Sequence, residues 1–348
     1  MKNFQIQLSI TILAILYGFV FFADYIAPYN PCEQNNKASY ANPSKFGVDT
    51  HGIYAYQQKY IYNPKSYKKE TRNTKQKIYL EFFTPKKLIS TRLAASIHSK
   101  TASKKLTQRN ENLKANYKIY ILGTDQLGRD NFSRLIHGAK PSLTVGFLAL
   151  LIAFPIGALY GAISAYSSPF IDNILMRLAE AMMSFPSFYL LIILAALLPA
   201  SLTNIERFAL ITIILSFTAW AGLSRVIRGI LLAIKEENYV SSAKLMGASP
   251  PRIITQHLIP QSFSYLIVAA TLSIPGFIIG ESALSFLGFG INQPDPSWGN
   301  ILSEAKELSN LFHRPQMLIY PSLLIFLAVY SYNVLGDYLR DKLDTQHL

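Results

Sequence analysis

Asp125, Arg129 and Asp130 fall within six residues of one another in the stretch Leu122–Lys140, LGTDQLGRDNFSRLIHGAK. Two carboxylates and a guanidinium at that spacing could hold a cation or relay a proton. No nucleophile, His pair or third carboxylate lies near them in the chain, and the same residue types serve helix capping and ion pairing. Gly123, Thr124 and Asp125 make a turn, with Thr124 or Asp125 placed to cap the helix that follows. Phe132, Leu135 and Ile136 would share one face of that helix, with Arg129 and Arg134 away from it, as in a helix lying at a membrane surface. Glu281 is the second chemical candidate, the one acid deep in a long apolar run. A carboxylate in such a setting is costly and so points to a functional role. Counted from Leu258 it lies roughly 35 Å along a helix, near a membrane boundary. There it could meet a substrate or hold Pro275-Gly276 and the turn beyond. Cys32 stands alone, which excludes an internal disulfide and a thiolate metal cluster. The chain has no Gly-x-x-x-x-Gly-Lys-Ser/Thr phosphate loop, so it does not itself hydrolyse a nucleoside triphosphate. Nothing among these residues makes a catalytic constellation or a metal site, and no enzyme activity is expected.

The elements that must position these residues are apolar. Half of the 348 residues are hydrophobic, ordinary for a membrane protein with one wet segment. Asn3–Ala23 is 21 residues without a charge, enough to cross the roughly 30 Å hydrocarbon core. Its apolar core is longer than a cleaved signal would need, which makes residues 1–27 a first transmembrane helix with the amino terminus inside. Further uncharged runs follow at Pro141–Ile171, Ala181–Ile205, Phe208–Ser224, Leu258–Gly280 and Pro315–Gly336. They predict spans near 141–165, 181–203, 208–230, 260–284 and 315–336, with the fifth of the six broken at Pro275-Gly276. The fold class expected is an all-α integral membrane protein of six transmembrane helices. Both termini would lie in the cytoplasm. Gly290–Gly299 contains Pro294 and Pro296, which preclude a continuous helix, while Trp298 suits a membrane interface. That loop either dips back toward the pathway or is a plain surface turn.

Net charge is +13, and it is local: residues 28–138 hold 20 Lys/Arg against 7 Asp/Glu, while the rest is balanced. Without zinc-ligand spacing, an RNA-binding signature or heptads, this basicity does not point to nucleic acid. Residues 28–121 read as a basic periplasmic insertion with short β-friendly pieces at Ile53-Tyr54, Ile61-Tyr62 and Ile78–Phe83. The short connections place nine Lys/Arg on the side of the amino terminus and three on the other, the positive-inside bias that sets orientation. The long basic segment then falls outside, as long loops do regardless of charge.

That orientation leaves one polar interval, residues 236–261 (EENYVSSAKLMGASPPRIITQHLIPQ), in the cytoplasm. Tyr239, Ala243, Leu245, Met246 and Ala248 could line one side of a short helix ended by Pro250 and Pro251, and Gly247 would let another backbone come close. A short amphipathic helix between spans suits docking on something soluble.

The interval resembles the cytoplasmic loop motif of binding-protein-dependent ABC importer permeases: Glu-Ala-Ala, three residues, Gly, nine residues, Ile-x-Leu-Pro. On this chain the motif falls on Ser241, Ser242, Ala243, Gly247, His257, Ile259 and Pro260. Ser241 and Ser242 stand in place of Glu and Ala, and His257 in place of the first Ile. The turn motif Gly123, Thr124, Asp125, Gly128, Arg129, Asp130 agrees with it, as do MRLAEAMMSFPS, GESALSFLGFGINQPDPSWG and NVLGDYLRDKLD. Together, from about Leu122 to Asp344, they are similar to the dipeptide/oligopeptide permeases of that family. Residues 45–117 have no counterpart in the resemblance.

The resemblance implies a permease core over 122–344 that pairs with a second permease subunit. Two ATP-binding subunits would carry ATP and magnesium, leaving this chain without a cofactor, and a periplasmic solute-binding protein would deliver the cargo. Ser241–Gly247 would be the coupling helix, seated in a groove of one ATPase. Inward movement of di- or oligopeptides is the expected function. Related permeases with the same motifs import nickel or other small solutes, and a stand-alone carrier or channel is the alternative of another class.

Overall fold

A computed structural model describes residues 2–50, 52–63, 68–82, 89–93, 118–306 and 314–344. Its helices are α1 Lys2–Ile26, α2 Asn131–Tyr166, α3 Pro169–Met183, α4 Ser187–Ala196, α5 Asn204–Lys235, α6 Asn238–Leu245, α7 Pro250–Ile253, α8 Phe263–Leu287, α9 Trp298–Ser303 and α10 Gln316–Asp344. Among the described residues, α1, α2, α5, α8 and α10 are long and apolar enough to cross a membrane. The pair α3 and α4 passes the same test together but is bent by 79° at its junction. The run expected as one span over 181–203 is therefore broken. Ser184-Phe185-Pro186 interrupts it, because Pro186 has no N–H to continue the ladder and its ring crowds the preceding turn.

Two further breaks differ from expectation. The helix over 131–136 is no separate surface helix, since α2 runs from Asn131 to Tyr166 through Pro141 and Pro155. Likewise α8 continues through Pro275. Proline is tolerated inside a membrane helix when neighbours satisfy the freed carbonyl. The real interruption precedes α8, where a π-helical stretch at Ile254–Leu258 and a single turn at Ile259–Gln261 lead into it.

The chain divides into two compact units. One comprises Met1–Leu16, Pro141–Asn292 and Ser322–Leu348; the other comprises Tyr17–Lys140 and Gln293–Pro321. The first unit is helical. Val145, Ala149 and Ala153 of α2 meet Leu191 and Ala195 of α4, Ile211 and Leu215 of α5, and Phe277 and Leu284 of α8 in one cluster. In lipid, burial of apolar side chains drives association weakly, so small residues that let backbones approach matter more. The alanines of α2 fill that role here. The α5 helix starts at a capping box: Glu206 N–H donates to Thr203 Oγ1 at 3.3 Å, and Thr203 N–H to Glu206 Oε2 at 2.9 Å.

The second unit corrects the all-α expectation. It holds a four-stranded antiparallel meander of β1 Phe46–Asp49, β2 Gly52–Asn63, β3 Lys68–Phe82 and β4 Ile89–Leu93, each paired with its neighbour in sequence. Tyr and Ile crowd residues 52–62 at a spacing a pleated strand accommodates and a helix does not favour. Ala55, Ile78 and Ile119 form its small core, and Tyr79 packs on Tyr54 with ring centroids 5.9 Å apart. Within the basic insertion, residues 51, 64–67, 83–88 and 94–117, among them Phe83 of the expected β-friendly piece, lie outside the described residues.

Candidate functional site

The loop motif of 241–260 begins on α6. Val240 and Ala243 are buried, and Val240 joins Ala162, Ala165, Leu223, Ile227, Leu231, Ile253 and Leu258 in a second apolar cluster of the first unit. The opposite side is left open: Leu245 is 89% and Met246 82% exposed, and Tyr239 is 43% exposed. The single apolar side expected from the sequence is therefore divided, with one part turned inward and the rest outward. Ser241 and Ser242 are exposed, and Ser242 Oγ is occupied in donating to Asn238 O at 2.8 Å. Gly247 ends the helix at φ +84, its N–H donating to Lys244 O and that of Ala248 to Ala243 O, each at 3.0 Å. This left-handed residue after a helix is a position glycine fills without strain. A Cβ at Gly247 would meet nothing within 4 Å, so the close approach expected there involves no part of this chain among the described residues. Pro250 and Pro251 do not stop α6; they open α7 at its first positions, where a missing N–H costs nothing. His257 lies beside Tyr239, ring centroids 6.2 Å apart, Ile259 packs against the second cluster and Pro260 is exposed.

The turn motif belongs to the second unit and is closed. Asp125 Oδ1 accepts from the backbone N–H groups of Leu127 and Arg129, both at 2.9 Å. Its Oδ2 pairs with Arg129 Nε and Arg134 Nη1, both at 2.5 Å. The third carboxylate missing from the local sequence arrives from far along the chain. Glu304 Oε1 meets Arg134 Nη1 at 2.6 Å and Arg129 Nη2 at 3.3 Å, and accepts from Gln293 Nε2 at 3.2 Å. Arg129 and Arg134, expected to face away from the packed side, are fully buried. Burial raises the Glu304 carboxyl above its ordinary range despite the Arg134 guanidinium. Neither Thr124 nor Asp125 caps α2. Asp130 does, its Oδ2 accepting from Ser133 N–H at 2.8 Å and Ser133 Oγ at 2.6 Å. Asp130 is pushed up to about 6 by burial, and its Oδ1 has no partner among the described residues. Thr124 instead ties the turn to the chain after α1, with Oγ1 donating to Ala38 O and accepting from Ala41 N–H at 2.7 Å. Gly128, at φ +72, lies so close to Asn35 that a Cβ would come within 1.9 Å of its carbonyl oxygen.

The other two candidates are also structural in geometry. Glu281 is buried and accepts from Ser142 Oγ at 3.0 Å and Ser285 Oγ at 2.7 Å; Ser285 Oγ accepts in turn from Ile291 N–H at 3.2 Å. The carboxylate thus joins α2, α8 and the turn after α8, while Pro275-Gly276 is outside these contacts. Trp298, expected at a membrane interface, is fully buried, its indole N–H donating to Leu135 O at 3.0 Å within the second unit. It opens α9 behind a Ser297–Asn300 capping box. Pro294 O lies 3.6 Å from Cys32 Sγ.

A loop helix with one buried edge and exposed apolar residues beside it is set among long apolar helices, the composition of a membrane component. Comparison with known proteins identifies the component. Residues 153–346 match the family described as binding-protein-dependent transport system inner membrane component. The chain belongs to this family. The dipeptide transport system permease protein DppC of Bacillus subtilis is 41% identical over 224 residues, 64% of this chain and 67% of that protein. The glutathione transport system permease protein GsiD of Pectobacterium atrosepticum is 38% identical over 223 residues, 64% and 71% of the two chains. The oligopeptide transport system permease protein OppC of Bacillus subtilis is 35% identical over 227 residues, 65% and 72%.

As a member of this family the chain is a multi-pass inner-membrane transport permease that works with ATP-binding and substrate-binding proteins. The permease brings its predicted site residues into two separate groups. Ser241, Ser242, Ala243, Gly247, His257, Ile259 and Pro260 all lie on the loop of the first unit, and Glu281 in the body of the same unit. The turn residues, Pro294 and Trp298 belong to the second unit. Glu304 and Ser133 were missed by sequence reasoning. The Asp-x-x-Ser spacing of a cap could have found Ser133; no local signal marks Glu304, whose two arginine partners are 170 and 175 residues away.

Proposed function

We propose that this permease is one of two membrane subunits of an ATP-driven importer that carries di- or oligopeptides into the cytoplasm. Six spans, counting bent α3 and α4 as one, would leave both termini inside and the basic insertion of 28–121 outside. Two ATP-binding subunits beneath would bind ATP and magnesium, and a periplasmic binding protein would deliver the peptide. Residues 241–247 would seat in a groove of one ATPase. The observation that carries this reading is the division of α6, with Val240 and Ala243 anchored inward and Leu245 and Met246 left outside. Apolar residues exposed to that extent on a short loop helix are explained by a partner that covers them. The peptide class is supported by relatives whose names specify dipeptide, glutathione and oligopeptide transport. ATP-driven closure of the ATPase pair would reach the spans as a rigid-body shift of the seated helix.

Purification in mild detergent, with identification of the co-purifying subunits and assay of ATP hydrolysis, tests the reading. A second permease plus ATPases, stimulated by binding protein loaded with peptide, is the expected result. Stimulation by nickel-loaded or other solute-loaded protein would reassign the cargo. A chain that purifies alone and transports without ATP would overturn the proposal.

A further inference from the structure

Where the first unit receives the loop, three helices are fastened at one level by polar contacts that neither the family motifs nor the transport reading uses. Arg228 of α5 presents its guanidinium edge-on to Asp172 of α3. Nε meets Oδ1 at 2.6 Å, and Nη2 meets Oδ2. Ser164 of α2 donates its hydroxyl to the same Oδ1, and Tyr160 Oη donates to Leu175 O of α3 at 2.8 Å. Lys235, the last residue of α5, donates to Ala165 O at 3.1 Å and lies over the Tyr166 ring, 5.3 Å from its centroid. Gly161 leaves α2 no room to slide on α5: a Cβ there would come within 2.4 Å of Ser224 O and 3.1 Å of Arg228 N.

From this arrangement we propose that Asp172 and Arg228 are a positioning pair that obliges α3 to travel with α5 when the loop helix α6 is displaced. The inference rests on the reading of α6 as the ATPase-coupled element and deepens it. Contact between α6 and α5 is apolar, through Val240 against Ile227 and Leu231. Apolar contact is non-directional and fixes no angle. A bidentate guanidinium–carboxylate pair does fix one, since both N–H vectors must stay in the carboxylate plane. The far side of α3 is exposed at Phe170 (75%) and Leu178 (56%); on its inner side Leu175, Met176 and Ala179 are half-buried or buried, and among them Asp172 supplies the directional contact to α5. Beyond α3 the chain bends by 79° into α4, and this break lets α3 swing without dragging α4 rigidly. Displacement of α6 then moves α5 and α3 as one lever, hinged at Ser184-Phe185-Pro186.

A purely structural pair would behave differently from a positioning pair. Arg228 and Asp172 are part-buried, 29% and 15% exposed, so removing one partner also costs stability; a ratio of import to hydrolysis does not change with the amount of intact transporter. The test uses the complete transporter in liposomes with its binding protein and a radiolabelled tripeptide, reading peptide imported per ATP hydrolysed. Asp172→Asn should lower that ratio about tenfold, a usual size for coupling between sites, with subunit assembly and ATP hydrolysis retained. Arg228→Lys, which keeps the charge and loses the fork, should lower it similarly; it also carries the test if Asp172→Asn fails to assemble. The exchange Asp172→Arg with Arg228→Asp should restore much of the ratio. An unchanged ratio in both single variants would overturn the proposal. So would a parallel fall of import and hydrolysis that the exchange does not rescue, since that is the pattern of a general structural defect. Gly247→Asp in the same assay separates the two readings. Normal import by that variant removes the docking of α6, whereas lost import beside a normal Asp172→Asn ratio removes the pair alone.

Discussion

At Gly128 and Gly247 the backbone passes through the same left-handed region, φ +72 and +84, yet the surroundings are built in opposite ways. Around Gly128 the second unit closes on itself. Asn35 presses on the glycine, Asp125 satisfies two backbone N–H groups, and two buried arginines share the carboxylates of Asp125 and Glu304. Around Gly247 nothing lies within 4 Å, and the neighbouring Leu245 and Met246 stand outside. The Gly128 turn pairs most of its charges with one another, although Asp130 Oδ1 and Arg134 Nη2 have no partner among the described residues. The Gly247 turn leaves Leu245 and Met246 exposed, which is the difference the proposed docking rests on.

The two glycines give the largest test of the comparison. Gly247→Asp should abolish peptide uptake with membrane insertion kept and the detergent melting temperature lowered only slightly, by the strain of a side chain at φ +84, because the added Cβ meets nothing within 4 Å among the described residues. Gly128→Asp should reduce the yield of folded protein itself, since its Cβ meets a backbone carbonyl that cannot step aside. If Gly247→Asp lowers stability as Gly128→Asp does, the contrast between the two turns is wrong. Next in size is Arg134→Ala, which leaves Asp125 and Glu304 buried with one guanidinium between them. Stripping one partner from a buried charge cluster costs about 3–5 kcal/mol, readable as a lower unfolding midpoint in denaturant. Loss of transport with the midpoint unmoved would instead place the cluster in the transport cycle.

The smallest effect concerns Asp130. Its folded carboxyl is pushed up to about 6 from its ordinary 3.8, so the folded state holds the proton more tightly than the unfolded one. The associated stability is present below about 4 and is lost as pH rises toward 6, by up to ~3 kcal/mol if the whole shift is expressed. Asp130→Asn keeps an acceptor for Ser133 N–H and removes the titration, so its stability should change less across that window than the wild type's. An identical slope in both proteins would show that the burial penalty is relieved elsewhere.

Much of this molecule was legible before any coordinates. Long uncharged runs required membrane-length helices, because only a helix satisfies its own backbone in lipid, and α1, α2, α5, α8 and α10 are those runs. Gly247 and Pro260 were placed by resemblance to a loop motif, and both lie on one short stretch where sequence neighbours remain spatial neighbours. What failed did so where local rules meet distant contacts. Proline punctuation misplaced the breaks: Pro186 interrupts a span and Pro275 does not, which depends on neighbours that no window of sequence contains.

The sequence by itself determined the class of the protein, the place of the loop motif and the absence of a phosphate loop. Each of these is local, written in hydropathy, in a short spacing or in a missing motif. Only the tertiary structure decided that Arg129 and Arg134 are interior, that Glu304 is the acid they share, that Asp130 is the cap, and that Asp172 of α3 is held by Arg228 of α5. The reason is physical: an ion pair or a buried hydroxyl is specified by distance in space, and chain folding brings together charges that sequence spacing leaves unrelated.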